Sequence, residues 1–336
     1  MEEEKILLSH GSGGKLSYQL IRDLFLSNFE NNFLNRLDDG AILKFKDLNI
    51  AYSTDSYTVD PLFFQGGNIG DLAVHGTVND LAMCGACPLY LTCAFIIEEG
   101  LPKKILEKIV FSMKEASENA GVKIVTGDTK VVNKGAADKI FINTSGIGIV
   151  KKGINISGRN ARIGDIIITN GSIGDHGITI LSEREGLEFK TSLQSDTAPL
   201  ASLVADMLEV SDKVHVLRDP TRGGLSTTLN EIADSSGVEI EIDEDKIPIK
   251  EGVRAACEIL GYDPLYLANE GKLIAFVSPE DSEKILKKMK NHQFGKESKV
   301  IGRVVQKSKG RVYLNTKIGG KRIVDMLTGE QLPRIC

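Results

Sequence analysis

The chain has 336 residues, 41% hydrophobic and 26% charged, ordinary values for a globular protein able to bury a sizeable core in about two domains. A formal net charge of −5 argues against a dedicated nucleic-acid binder, and no apolar run reaches the roughly 20 residues of a bilayer-spanning helix. The opening MEEEKILLSHGSGGK lacks the basic region and apolar core of a secretory signal, and five cysteines in such a chain are expected as reduced thiols in a cytoplasm.

A glycine-rich segment and an amphipathic helix over 16–29 occupy residues 1–35. Apolar stretches at 41–45 and 49–53 read as a hairpin. Small and apolar residues over 66–82 predict a helix, and 89–97 a strand. Ile105, Ile109, Met113, Ala116 and Ala120 recur at helical spacing after Pro102, which places a helix over 101–120. Strands follow at 122–126 and 140–150. The polar run after Val150 marks a boundary, so 36–152 forms one α/β domain and 153–316 a second. There, strands are expected at 165–169, 238–242, 273–277, 300–305 and 311–314. Helices are expected at 177–184, 200–208, 225–234, 249–260 and 279–290. The fold class is α/β (α+β), two mixed domains with sheets partly covered by helices. Residues 317–336, with glycines and a proline, read as a mobile tail.

Four acidic turns stand out: Asp38-Asp39-Gly40, Thr54-Asp55-Ser56, Asn79-Asp80 and Gly127-Asp128-Thr129. Any one of them is ordinary turn chemistry. Four beside predicted strand ends suggest carboxylates that repel unless a cation sits between them, a donor set suited to Mg²⁺ carried with phosphates. Ser9 to Lys15, SHGSGGK, is not a P-loop, because Ser9 and Leu16 stand where that motif needs glycine and Ser or Thr. Ser12, Gly13, Gly14 and Lys15 open a helix and could still offer N–H groups to phosphate; the alternative is a flexible linker. Asp219-Pro220-Thr221-Arg222-Gly223-Gly224 is a further anion-binding corner. Glu270, between Asn269 and Gly271, is either a solvated turn residue or a base in a desolvated cleft. Cys84 and Cys87 form one C-x-x-C without a second pair for zinc and read as small buried residues. Cys257 reads as core. Cys336, the last residue, is either incidental or a carrier. His10 and His176 have no partner at ligand spacing.

Taken together, SHGSGGK, DDGA, STDS, Asn79 to Ala82, GDTK, IGDHG, DPTRGG and NEG follow the order seen in the HypE family of hydrogenase maturation factors. The terminal Pro333-Arg334-Ile335-Cys336 is that family's signature, and the resemblance covers nearly the whole chain. The Asp-rich turns are shared with aminoimidazole ribonucleotide synthetase, selenophosphate synthetase and thiamine-monophosphate kinase. The reactive Cys or selenocysteine of selenophosphate synthetase has no counterpart in Ser9 to Lys15.

The resemblance implies a homodimer whose N-terminal sheets form a barrel-like core, with ATP between the N-terminal domains. It implies ATP-dependent dehydration of an S-carbamoyl group on Cys336 to a thiocyanate. The HypF carbamoyltransferase would load the thiol, and the cyano group would pass to an iron centre on the HypC–HypD scaffold for [NiFe]-hydrogenase. Cys336 would then be the carrier, Glu270 the base and Lys130 the cation near the developing charge. Ser12, Gly13, Gly14, Lys15, Asp55, Asn79, Asp80, Asp128 and Thr129 would surround ATP, and Asp39, Asp55, Asp80, Asp128 and Asp219 would hold Mg²⁺. Two other readings are a superfamily kinase or synthetase acting on a free small molecule, and a non-catalytic ATP-binding thiol carrier.

Overall fold

The computed structural model describes residues 5–186, 193–329 and 332–336. After the glycine-rich segment, α1 (Lys15–Leu20), a π-helical stretch (Ile21–Leu26) and α2 (Ser27–Phe29) run on as one helical rod. Strands β1 (Ala41–Phe45) and β2 (Leu48–Tyr57) form the expected hairpin, with Phe45 opposite Leu48. A short pair, β3 (Phe63–Phe64) and β4 (Gly67–Asn68), leads into α3 (Ile69–Met83). The Asn68 side chain caps α3 by accepting from the Gly70 N–H at 2.8 Å, and Asp71 reciprocates from inside the helix. Then come β5 (Ala86–Glu98), α4 (Lys103–Ala120), β6 (Lys123–Val132) and β7 (Ile140–Val150). The sheet order is β1-β2-β7-β5-β6, antiparallel except for β5 and β6, which are parallel across the α4 crossover.

Helices α3 and α4 cover one face of this sheet. α3 is buried on nearly every side because it lies between the sheet and the second half of the chain. Gly76 is needed there, since a Cβ would stand 2.3 Å from the Tyr57 hydroxyl. The other face exposes Tyr52, Tyr90 and Ile96. The sheet is open, with β1 and β6 as edges, so one chain does not form the closed barrel expected of the pair.

The second half contains β8 (Ile166–Thr169), α5 (Asp175–Glu185), α6 (Ala201–Val210), β9 (Val214–Arg218), α7 (Gly224–Ser236), β10 (Val238–Asp243), α8 (Glu251–Leu260), β11 (Ile274–Val277), α9 (Ser282–Asn291), β12 (Lys299–Lys307), β13 (Arg311–Asn315) and β14 (Lys321–Ile323). Their sheet runs β14-β13-β10-β12-β8-β11-β9. Leu225, Leu229 and Ile232 of α7 pack on Ile240, Val304 and Val312. Leu203 and Met207 of α6 and Ile285 and Met289 of α9 pack with Ala275, Val277 and Leu217. Helices thus cover the sheet through two separate cores. β9 and β14 were not anticipated from the sequence. VHVLR is a five-residue strand with its first four residues buried, too short for a periodicity to show. Among the described residues, no helix is long and apolar enough to cross a membrane.

Candidate active site

Three of the four acidic turns are not turns. Asp55 lies within β2, Asp80 within α3 and Asp128 within β6. In β2, Ala51, Ser53, Asp55 and Tyr57 share the helix-covered face by the strand's period of two. Asp80 meets them from α3, and the Ser53 hydroxyl donates to its carboxylate at 2.6 Å. Asp39, just before β1, pairs with Arg218 at 2.7 Å, and Arg218 also holds Glu231 of α7 at 2.8 Å. Asp219 follows Arg218 at the end of β9 and is buried.

Glu270 sits in the turn before β11, 4% exposed, with its Oε1 lacking a hydrogen-bond partner among the described residues. Burial pushes the carboxyls of Asp39, Asp80 and Glu270 well above the usual range, and the neighbouring carboxylates push the same way. Burial raises Asp55 as well, against the Arg222 guanidinium, and lifts Asp219 to about 6 against the pull of Arg218. Asn79 braces this ground: its amide donates to the Ala198 and Glu270 carbonyls at 3.0 and 3.3 Å and accepts from the Leu200 N–H at 2.8 Å.

The last residues reach this cluster. Although 317–336 reads as a mobile tail, it carries β14, and Leu332, Ile335 and Cys336 join the apolar cluster around Phe64 and Val59. The Thr58 N–H donates to the Cys336 main-chain carboxylate at 2.9 Å, and the Asp60 N–H donates to the Arg334 carbonyl at 3.2 Å. Arg334 Nε donates to the Thr58 carbonyl at 2.8 Å, and its guanidinium also pairs with Asp138. Arg334 has a φ of +51°, a left-handed backbone that a non-glycine residue keeps only where its surroundings fix it. Cys336 is 8% exposed, and burial drives its thiol far above its ordinary value, with Arg222 opposing and Glu270 and Asp55 adding to the rise.

A cavity of about 300 Å³ opens on Cys336, lined also by Ser12, Ser56, Thr58, Arg222 and Ile335. The glycine-rich segment closes one side of it. Arg222 Nη1 donates to the Gly11 carbonyl at 3.0 Å, and Gly13 (φ +76°) sits so close to Arg222 that a Cβ would lie 2.7 Å from it. The Gly13 N–H donates to Ser17 Oγ, the Ser12 hydroxyl donates to the Ser9 carbonyl, and the Lys15 N–H donates to the Leu327 carbonyl. These groups, expected to face phosphate, are engaged within the chain.

The structure therefore brings together Asp39, Asp55, Asp80, Asp219, Glu270, Cys336 and the Ser12 side of the glycine-rich segment. It does not bring Asp128, Thr129 and Lys130 with them. These lie on the edge strand β6, where Lys130 pairs with Asp128 at 2.7 Å and the two side chains are 68% and 62% exposed. Among the described residues, no three His, Cys, Asp or Glu side chains converge as a ready metal cage. Asp39 pairs with Arg218, Asp80 accepts from Ser53 and Asp128 pairs with Lys130. Cys84 is buried against the Gly40 carbonyl and Cys87 is exposed. Arg218, the neutraliser of Asp39, carried no signal in the sequence because nothing in VHVLR announces its target.

The matches to known families bear on this geometry. The family AIR synthase related protein, N-terminal domain, matches residues 37–150, and its C-terminal domain matches 162–315. An open sheet under two helices, a second helix-covered sheet and a carboxylate cluster between them thus define a two-domain protein of the AIR synthase related class. The carbamoyl dehydratase HypE of Cupriavidus necator is 52% identical over 333 residues, 99% of this chain and 95% of that one. A solved HypE in complex with ATP is 53% identical, with a TM-score of 0.83 over 99% of this chain and 100% of the other. A HypE–HypF complex is 52% identical, with a TM-score of 0.88 over 92% and 99%. The chain belongs to the HypE family of carbamoyl dehydratases.

Proposed function

We propose that this chain dehydrates an S-carbamoyl group on its own Cys336 to a thiocyanate at the expense of ATP. The observation that carries the reading is the docked terminus: Cys336 lies in the cleft beside Arg222, facing a cluster in which Glu270 has an unpartnered, buried carboxyl oxygen. ATP, when bound with Mg²⁺, supplies the phosphoryl group that makes an amide oxygen a good leaving group. Asp39, Asp55, Asp80 and Asp219 fit the cation, because each is a hard oxygen donor whose charge burial disfavours and a divalent ion would stabilise.

Glu270 takes the protons from the carbamoyl nitrogen; a carboxyl raised by burial is a stronger base than an ordinary one. Arg222 places a fixed positive charge beside the sulfur-bound group. The docked thiol is a poor nucleophile because its thiolate is disfavoured, so loading by HypF takes place with the tail undocked, and dehydration with it docked. Twelve extended residues reach about 40 Å, enough to visit a second protein's site.

A homodimer would pair the exposed apolar face of the first sheet, and would carry the β6 edge with Asp128, Thr129 and Lys130 to the cleft of the second copy. Cytoplasmic placement and delivery to a HypC–HypD scaffold follow from the same family reading. The test is intact mass spectrometry after incubation with HypF, carbamoyl phosphate and ATP. Cys336 should gain one carbamoyl group and then lose one water, and Cys336→Ala should give no product while still binding ATP. Product from Cys336→Ala, or an adduct mapped to Cys84 or Cys87, would overturn the proposal.

A further inference from the structure

The docked tail is held through its main chain as well as through the Arg334 side chain. The carbonyl of Arg334 and the main-chain carboxylate of Cys336 accept from the N–H groups of Asp60 and Thr58. The carbonyl between them, that of Ile335, lies 2.8 Å from Nε2 of His176 on α5. A carbonyl only accepts, so Nε2 carries the ring proton. Nδ1 must then accept, and it lies 2.8 Å from the Ser195 hydroxyl. Ser195 is itself fixed: its N–H donates to the Gln65 carbonyl at 2.8 Å and its oxygen accepts from the Thr197 N–H at 3.2 Å. The imidazole is 0% exposed and stands edge-on to Phe64, ring centres 5.6 Å apart, in the apolar ground that also receives Ile335. A buried histidine usually satisfies a fixed part of the fold. This one spends its single proton on the terminal segment.

We propose that His176, oriented by Ser195, is the positioning residue that registers the docked tail. Its Nε2–H favours the docked state and fixes where the Cys336 sulfur stands relative to Glu270, without touching the reacting atoms. This rests on Cys336 being the carrier. With the donor removed, the Ile335 carbonyl is buried unpaired whenever the tail docks, which shifts the docking equilibrium by roughly 10- to 100-fold. Glutamine at the same position can place an amide N–H near the Nε2 site; asparagine, one carbon shorter, cannot.

The experiment uses the full-length protein and excess iodoacetamide, with each cysteine followed by peptide mapping. In the unmodified protein, Cys336 should react slowly and the exposed Cys87 quickly. His176→Ala should speed Cys336 alkylation about tenfold or more with Cys87 unchanged. His176→Gln should return it close to the unmodified rate, His176→Asn should not, and Ser195→Ala should fall between. On protein already carbamoylated by HypF, single-turnover dehydration should slow in the same order, while the loading rate does not fall. Equal Cys336 alkylation in His176→Ala and the unmodified protein would overturn the proposal, and so would failure of His176→Gln to restore protection. Buried Cys93 and Cys257 report on folding. Should they become reactive in His176→Ala, Ser195→Ala decides, and full protection of Cys336 there would refute the proposal. Product from Cys336→Ala would instead sink the carrier reading and leave these alkylation rates standing.

Discussion

Asp219→Asn isolates the energetic cost of assembling the carboxylate cluster. Asp219 is buried, and its carboxyl is lifted from 3.8 to about 6 chiefly by burial. A folded state that holds the proton more tightly than the unfolded chain is favoured at low pH, and that advantage is lost as pH climbs from about 4 through about 6. At pH 8 the full penalty applies: the rise corresponds to about 3 kcal/mol at 1.36 kcal/mol per pKa unit. Asp219 also raises Asp80 and Glu270, so removing its charge relieves both. Asp219→Asn should therefore stabilise the nucleotide-free protein at pH 8 by up to about 3 kcal/mol, roughly 6–12 °C at ~2–4 °C per kcal/mol. The gain should nearly vanish at pH 4. Adding Mg²⁺ and ATP should raise the melting temperature of the unmodified protein more than that of the variant, because a cation neutralises the charge that asparagine lacks. Differential scanning calorimetry at the two pH values, with and without Mg²⁺–ATP, reads both effects. A variant less stable than the unmodified protein at pH 8 without nucleotide would show that the Arg218 attraction outweighs burial and would refute this reasoning.

Glu270→Gln should keep carbamoyl loading and lose about 10²- to 10⁴-fold in dehydration, read by quenched-flow mass spectrometry. Because burial holds the Glu270 carboxyl well above the usual range, dehydration in the unmodified protein should rise with pH to a midpoint above that of ordinary carboxylates. Lys130→Ala should also be inactive if β6 serves a second copy's cleft, and mixing it with Glu270→Gln should restore part of the activity in heterodimers; no recovery would refute a role for Lys130 in the second copy's cleft. Ile96→Asp, on the exposed face of the first sheet, should convert a dimer into a folded monomer by sedimentation equilibrium. An unchanged dimer would place the interface elsewhere.

The elements that periodicity announces were readable. The spacing of Ile105, Ile109, Met113, Ala116 and Ala120 anticipates α4, whose buried face is Ile109, Met113 and Ala116. The hairpin of β1 and β2 was readable too, since two apolar runs flank Lys46-Asp47. What failed was the C-terminal end of two strands. Expected strands stopped at Ser53 and Thr126, yet β2 continues to Tyr57 and β6 to Val132. Asp, Ser, Thr and Gly are turn residues by local propensity, and the β2–β7 and β5–β6 ladders override it. That override matters for function, because a strand's alternation turns Asp55 inward, whereas a turn would leave its direction open.

The chemical identity of the cluster was therefore more legible than its neighbourhood. Carboxylates before β1 and near β9 and β11, a terminal thiol and an Asp-Pro-Thr-Arg corner are visible as residue types. Their pairings depend on contacts across long sequence separations: Asp39 to Arg218, Ser53 to Asp80, Arg222 to Gly11 and His176 to Ile335. No local pattern encodes such a contact, so Lys130 stood out by following Asp128, while Arg222 was ranked only as part of an anion corner. Within one chain the geometry reverses that order. Lys130 spends its charge on Asp128 in solvent, where an exposed ion pair contributes little, whereas Arg222 lines the cavity that holds the sulfur. A cation assists a reaction only where charge develops. On the proposed reaction at Cys336, that place falls to Arg222, which lines the cavity, and Lys130 serves only through a second copy.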